Sequence, residues 1–112
     1  MDATSIRIAR LYNQLLITSK LQTPKDVVSY MGAIQSQDFN MAKWAVGVRL
    51  PGSTDKQIEE AVNNGDIIRT HILRPTWHFV SRDDIHWMMM LSSPRLSTGW
   101  NSTNKALGVT EE

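Results

Sequence analysis

Residues 68–80 have the sequence Ile68-Arg-Thr-His-Ile-Leu-Arg-Pro-Thr-Trp-His-Phe-Val80. From Ile67 to Leu73 apolar and polar residues alternate and β-branched side chains are frequent, a pattern that predicts a β-strand. The segment Arg74-Pro75-Thr76 is typical of a turn, and the run from Trp77 to Val80 predicts the returning strand. The sequence therefore predicts a two-stranded β-hairpin in the second half of the chain.

Helices are predicted on both sides of this hairpin. Thr23-Pro24-Lys25-Asp26 combines a capping hydroxyl, a proline at the first helical position and an acid in the first turn. Thr54-Asp-Lys-Gln57 matches a capping box, and its helix is expected to end at Asn63-Asn64-Gly65. Further helices are predicted from Thr4 or Ser5 to about Thr18, from Asp38 or Asn40 to Val48, and after a capping-box match at Ser81-Arg-Asp-Asp84. Helices, one hairpin and a last helix form the order of a winged helix. The expected fold is therefore α+β, mainly α, a helix-turn-helix with a two-stranded wing.

The composition is that of an ordinary globular domain. The chain has 112 residues, of which 41% are apolar and 21% charged, enough for one domain with a modest core. No apolar run approaches the roughly 18 residues of a transmembrane helix, so no membrane contact is expected. The absence of cysteine excludes disulfides and thiolate metal sites, and it fits a cytoplasmic protein. A net charge of +1 is weak support for DNA binding, which must then depend on local clusters of basic residues.

Gln35-Ser36-Gln37-Asp38 places polar side chains directly after an apolar, helix-like run. A glutamine amide donates and accepts hydrogen bonds at once, so it can orient a water molecule, although it cannot remove a proton as a carboxylate does. In an extended Gln-Ser-Gln both amides point to the same face and could share one water. The alternative is an ordinary surface role at helix ends or in a loop. For Asp38 the alternative is to cap the helix that follows.

Basic residues gather around the predicted hairpin. They are Arg69, His71, Arg74, His78, Arg82 and His86. In a winged helix the hairpin lies against a phosphate backbone or enters a minor groove, so the first five are predicted to contact double-stranded DNA. The alternative is a strand face that is merely solvated. The three histidines are seven and eight residues apart, without the short ligand pair of a zinc site, so neither a metal nor a cofactor is expected.

The helix predicted at 55–64 lies just before the hairpin, where a recognition helix would lie. It carries Asp55, Glu59 and Glu60 against Lys56. Phosphates repel such a face, which argues against a sequence-specific regulator. The contacts to DNA are therefore expected elsewhere, around the hairpin.

Two segments resemble the winged-helix DNA-binding family that includes the AlkZ and YcaQ DNA glycosylases. They are residues 68–80 and Met31-Gly-Ala-Ile-Gln-Ser-Gln-Asp-Phe-Asn-Met-Ala-Lys-Trp-Ala-Val-Gly-Val-Arg-Leu50. In that family a Gln-x-Gln or Gln-x-Asp pair lines the site where alkylated bases are excised. The resemblance implies a DNA-binding unit of a monofunctional DNA glycosylase, which hydrolyses N-glycosidic bonds, with Gln35, Gln37 and Asp38 as catalytic candidates. Asp38 would stabilise positive charge on the sugar. The alternative is a non-enzymatic winged-helix module that binds DNA or another protein.

The end of the chain predicts a connection to further structure. The helix expected from Ile85 to Leu91 is apolar nearly all round, which predicts burial on more than one face. Members of the family that the chain resembles are several times longer, with tandem winged-helix units. We therefore expect a winged-helix domain at residues 1–91 and an extension at 92–112 that leads toward further domains. Self-association through residues 85–100 is expected where those domains are missing, and one unit alone is expected to be nearly inactive. Trp44 and Trp77 are expected in the core.

Overall fold

The computed structural model describes residues 1–73 and 75–108 of the chain. Within these ranges the architecture is α+β and mainly helical, as predicted. The elements in chain order are α1 (Ala3–Asn13), α2 (Pro24–Met31), β1 (Ala33–Gln35), α3 (Phe39–Gly47), α4 (Asp55–Asn63), β2 (Ile67–His71), β3 (Trp77–Ser81) and α5 (Ile85–Ala106).

The strands form one antiparallel sheet in the order β1-β3-β2, with β3 in the centre. The predicted hairpin is confirmed, because β2 pairs with β3 in a register that sets Arg69 opposite Phe79. The sequence did not predict β1, because its three residues are too few for an alternation to be recognised. β1 follows Gly32, whose φ of +79° ends α2 and is strained for any residue with a side chain. The expected two-stranded wing is thus part of a three-stranded sheet.

Both faces of the sheet are covered. Neighbouring residues of a strand point to opposite sides, so Phe79 and Val80, each 0% exposed, enter different apolar clusters. Phe79 packs with residues of α2, α3 and α4, among them Val46. Val80 packs with Met88 of α5. The central strand therefore lies between α2, α3 and α4 on one face of the sheet and α5 on the other.

The helix starts that were predicted from local capping signals are confirmed at three places. Thr23 and Asp26 form a capping box at the start of α2. Thr54 and Gln57 form a second capping box at the start of α4. Of the two caps considered for α3, the structure has Asp38. In each case the donor and acceptor lie within three residues of each other, which is why the sequence alone predicts the bond.

The first helix differs from the prediction in both bounds. The carboxylate of Asp2, and neither Thr4 nor Ser5, caps α1 by accepting a hydrogen bond from the Ser5 N–H at 2.7 Å. The helix ends at Asn13, earlier than expected, and Leu15 then has a φ of 58°, which is outside the helical range. No residue of α1 is buried. The radius of gyration of the Cα atoms is 17.0 Å, larger than the value of about 13 Å for a compact domain of this length. The chain is therefore more extended than a compact domain.

The last helix is longer than predicted. α5 continues through Pro94 to Ala106. The capping box expected at its start does not form, because Ser81 is still the last residue of β3 and Asp84 caps α5 without a side-chain hydrogen bond. Met88 faces the core, whereas Leu91 is 75% exposed, so the expected burial on more than one face is not found there. Within the described ranges no helix has both the length and the apolar character needed to cross a membrane.

Trp44 and Trp77 lie outside the core, contrary to the prediction. The buried face of α3 consists of Ala42, Lys43 and Val46. Trp44 is two positions from both Ala42 and Val46, about 200° around the helix, and it is 68% exposed. Trp77 begins β3 next to the turn of the hairpin, opposite His71, and it is 37% exposed. The positions of Trp44 and Trp77 in the sequence did not show which side of α3 or β3 faces the core.

Candidate functional site

The segment Gln35-Ser36-Gln37-Asp38 leaves the sheet at the edge of β1. Gln35 is the last residue of this strand and lies opposite His78. The Ser36 N–H continues the ladder by donating to the Trp77 carbonyl oxygen at 2.7 Å. Ser36 is 0% exposed, whereas Gln35 and Gln37 are exposed. This alternation agrees with the extended backbone that was predicted for the two glutamines.

Gln37 is held by its side-chain oxygen. Its Oε1 accepts a hydrogen bond from the Trp77 backbone N–H at 3.1 Å. The amide nitrogen, Nε2, is then the end of Gln37 that faces outward and can donate. The Gln35 amide has no hydrogen-bond partner among the described residues. The two glutamines therefore differ: both ends of the Gln35 amide are available for hydrogen bonds, whereas the Gln37 oxygen is engaged by the Trp77 N–H and its nitrogen is available to donate.

Asp38 has the capping role that was considered for it. Its Oδ1 accepts from the Met41 N–H at 3.0 Å, at the start of α3. The carboxylate is exposed. Its Oδ2 makes no hydrogen bond with the described residues and remains available as an acceptor. Capping and an electrostatic role at the site are thus compatible, because they use different oxygens.

Arg69 lies beneath this segment and bonds its backbone. Nε and Nη2 donate to the Ser36 carbonyl oxygen at 3.0 and 2.8 Å, and Nη2 also lies 3.2 Å from the Gln37 carbonyl oxygen. The guanidinium carbon is 5.0 Å from the centre of the Trp77 ring, within the range of a cation–π contact. The sequence predicted a phosphate contact for Arg69, which stays a prediction. Its bonds to the Gln-Ser-Gln backbone were missed, because the partners are more than thirty residues apart in the chain.

The other basic residues around the hairpin have different surroundings. The His71 ring lies 4.1 Å from the Trp77 ring, centroid to centroid. His78 is 7% exposed, and its Nδ1 lies 3.0 Å from the Thr76 carbonyl oxygen. Its side chain is therefore buried and is not presented on the surface of the hairpin. Arg82 is exposed and lies 3.3 Å from Asp66. Arg74, which was also predicted to contact DNA, lies outside the described residues.

The acidic face of α4 is partly used inside the molecule. Lys43 of α3 is 5% exposed, and its ammonium group lies 3.0 Å from Asp55 and 2.9 Å from Glu59. The hydrogen bonds that Lys43 donates to Glu59 and then to Asp55 raise the pKa of Lys43 above its ordinary value. The ammonium group is also 5.1 Å from the centre of the Phe39 ring. Two of the acids that appeared to form a solvated face therefore neutralise a buried cation.

The described cavities do not contain the candidate residues. A groove of about 340 Å³ lies between α3 and α4, beside Lys43, Trp44 and Asp55. A second one of about 310 Å³ lies beside Leu50 and Gln57. Over residues 1–73 and 75–108, no three acidic or histidine side chains are grouped so as to hold a metal ion. Gln35, Gln37 and Asp38 are exposed, so the Gln-Ser-Gln-Asp segment presents these three side chains at the surface.

Comparison with known families gives a match that covers most of the chain. The family model described as DNA glycosylase AlkZ-like matches residues 28–112. The match includes the Gln-Ser-Gln-Asp segment, the hairpin and α5. No curated protein and no solved structure matches the chain. The family agrees with the resemblance seen in the sequence, and it relates the chain to DNA repair. The chain belongs to the AlkZ-like DNA glycosylase family.

Proposed function

We propose that this chain is the DNA-binding, winged-helix unit of a DNA glycosylase that excises alkylated bases, with Gln35, Gln37 and Asp38 at its site. The observation that carries the proposal is the hydrogen bond from the Trp77 N–H to Gln37. This bond fixes an exposed amide next to a second exposed amide and a carboxylate. A purely solvated loop gains little from such ordering, because holding a long side chain in place costs conformational entropy.

The chemistry of an N7-alkylated purine suits amide groups. The leaving base already carries positive charge, so the reaction needs little help from a general acid. The enzyme must instead position water and stabilise an oxocarbenium-like sugar. Gln35, with both ends of its amide available, orients the attacking water. Gln37 donates from Nε2, and the free oxygen of Asp38 stabilises the developing positive charge.

The order of elements supports a winged helix. α2, α3 and α4 precede the β2–β3 hairpin, and β1 pairs with β3 beside it. In this fold the hairpin is the wing, and we propose that it contacts the phosphate backbone of duplex DNA. The candidate residues for this phosphate contact are His71, Arg82 and Arg74, of which Arg74 lies outside the described residues. Contacts of this kind fix position and carry no base information.

We further propose that this unit joins other domains, as the extension at residues 92–112 was predicted to do. Residues 92–106 of that extension belong to α5, which begins at Ile85 and runs across residue 91. Met90 and Leu91 are 71% and 75% exposed on the same helix. Exposed apolar side chains of this kind also favour the second candidate function, a module that binds another protein.

The test is base release by the full-length protein, including any segment that follows residue 112. A single-turnover assay on duplex DNA with N7-alkylguanine should detect release, and Gln37→Ala should slow it roughly 10–1,000-fold, the range lost with one positioned polar group. The melting temperature should change little, because Gln37 is exposed. Gln22→Ala is the matched control, since Gln22 is an exposed glutamine in a different loop.

Two results would contradict the proposal. If the wild-type protein releases no alkylated base, the glycosylase proposal is wrong and only the second candidate function, a binding module, is left. Equal rates for wild type and Gln37→Ala would place the chemistry elsewhere, with Asp38 the next residue to change. Duplex binding is measured separately by a titration at several salt concentrations, because phosphate contacts make the affinity fall steeply as salt rises.

A further inference from the structure

We infer that Arg69 is a positioning residue, which holds the Gln-Ser-Gln segment against Trp77 so that Gln37 presents its amide nitrogen as a fixed hydrogen-bond donor. We call its bonds to the carbonyl oxygens of Ser36 and Gln37 the Arg69 clamp. The inference deepens the proposed function and rests on it. It also gives Arg69 a role that a phosphate contact does not require.

The first step of the argument is the use of the guanidinium donors. Nε and Nη2 both point at the Ser36 carbonyl oxygen, and Nη2 is shared with the Gln37 carbonyl oxygen. Hydrogen bonds from a charged donor are about twice as strong as those between neutral groups. Arg69 is half-buried between the Phe39 and Trp77 rings. The charged guanidinium therefore donates its hydrogen bonds to the backbone of the candidate site.

The second step links the clamp to the Gln37 side chain. The Trp77 ring lies against the guanidinium, and the N–H of the same residue donates to Gln37 Oε1. Arg69 therefore contacts both partners of that bond, the backbone of Gln37 and the ring of Trp77. Removing the clamp frees the two partners to separate, although neither of them is itself changed.

The third step concerns the direction of the hydrogen bond. A backbone N–H can only donate, so the end of Gln37 that faces Trp77 must be the oxygen. The outward end is then Nε2, a donor. Gln37→Glu keeps an oxygen for the Trp77 N–H but replaces the outward donor by an acceptor. If the donor matters, this variant should release base as slowly as Gln37→Ala.

The test compares Arg69→Lys with Arg49→Lys. Lysine keeps the charge but loses the planar fork of donors. Arg49 is a matched control, because its guanidinium also bonds two backbone carbonyl oxygens, those of Gln14 and Ala45, and neither belongs to the Gln-Ser-Gln-Asp segment. Hydrogen exchange of the Trp77 N–H, measured by NMR, should be roughly 5-fold faster in Arg69→Lys, the factor that corresponds to one side-chain hydrogen bond. It should be unchanged in Arg49→Lys.

Kinetics separate positioning from phosphate binding. If the Arg69 clamp positions Gln37, Arg69→Lys should lower the single-turnover rate of base release at saturating protein roughly 10-fold or more. The DNA dissociation constant and its salt dependence should stay within twofold, because the charge is kept. Arg69→Lys combined with Gln37→Ala should be no slower than Gln37→Ala, since both changes remove the same positioned donor.

The outcomes distinguish this inference from the proposed function. If Gln37→Ala slows release while Arg69→Lys changes neither the rate nor the Trp77 exchange, the inference is wrong and the proposed function stands. If no variant affects release, the proposed function fails. The Trp77 exchange then decides the clamp: faster exchange in Arg69→Lys supports it, and unchanged exchange overturns it. Weaker DNA binding by Arg69→Lys at an unchanged rate of base release would also overturn it, in favour of a phosphate contact that needs the planar fork of arginine.

Discussion

Phe79→Ala should be among the most destabilising single changes in this chain. Phe79 is fully buried in the central strand of the sheet, and its ring meets the Phe39 ring edge to face at 5.9 Å between centroids. Burial of a phenylalanine side chain contributes about 1.5–3 kcal/mol, and an aromatic pair adds about 0.5–1.5 kcal/mol. With the cavity that alanine leaves, the expected loss in the free energy of unfolding is about 3–5 kcal/mol.

This loss is large compared with the total free energy of unfolding. Single domains unfold with about 5–15 kcal/mol, so Phe79→Ala should shift the urea midpoint by more than 1 M at a slope of about 1–3 kcal/mol per molar. Phe79→Leu should cost less, about 1–1.5 kcal/mol, because it keeps most of the volume. Leu91→Ala is the control on an exposed residue, and it should stay within about 0.5 kcal/mol. A loss below about 1 kcal/mol for Phe79→Ala would refute the assigned core.

Two further predictions concern buried and charged groups. The Ser36 hydroxyl is buried without a hydrogen-bond partner among the described residues. Ser36→Ala should therefore leave the urea midpoint unchanged or raise the free energy of unfolding by up to about 1 kcal/mol, and a clear loss would show that the hydroxyl has a partner. The hydrogen bond from Lys25 at 2.8 Å, together with the charge of Lys25, lowers the pKa of Asp83 from its ordinary value of 3.8. Asp83 thus stabilises the fold above that pH, and this contribution is lost as the pH falls through the lower pKa of the folded state. Lys25→Met should flatten the acid limb of the stability curve, measured by urea titration from about pH 6 to about pH 2, a range that spans the ordinary carboxyl pKa; an unchanged limb would contradict the assigned ion pair.

The sequence by itself determined the parts of this protein that depend on near neighbours. The capping boxes at Thr23 and Thr54 and the β2–β3 hairpin were predicted because their partners lie within a few residues or across one turn. The family was likewise visible in two short segments, and the match over residues 28–112 confirms it. These signals require no knowledge of how the elements pack.

Tertiary structure alone decided the features that join distant segments. β1 exists because it can pair with β3, more than forty residues away, and an isolated run of three residues carries no strand signal. Lys43 is buried because α4 brings Asp55 and Glu59 to it, whereas the adjacent Trp44 faces outward. The contact of Arg69 with the Gln-Ser-Gln backbone arises in the same way, because β1 and β2 both pair with β3 and are thereby brought to one sheet. A propensity or a spacing describes one segment at a time, and these contacts depend on the relative position of two.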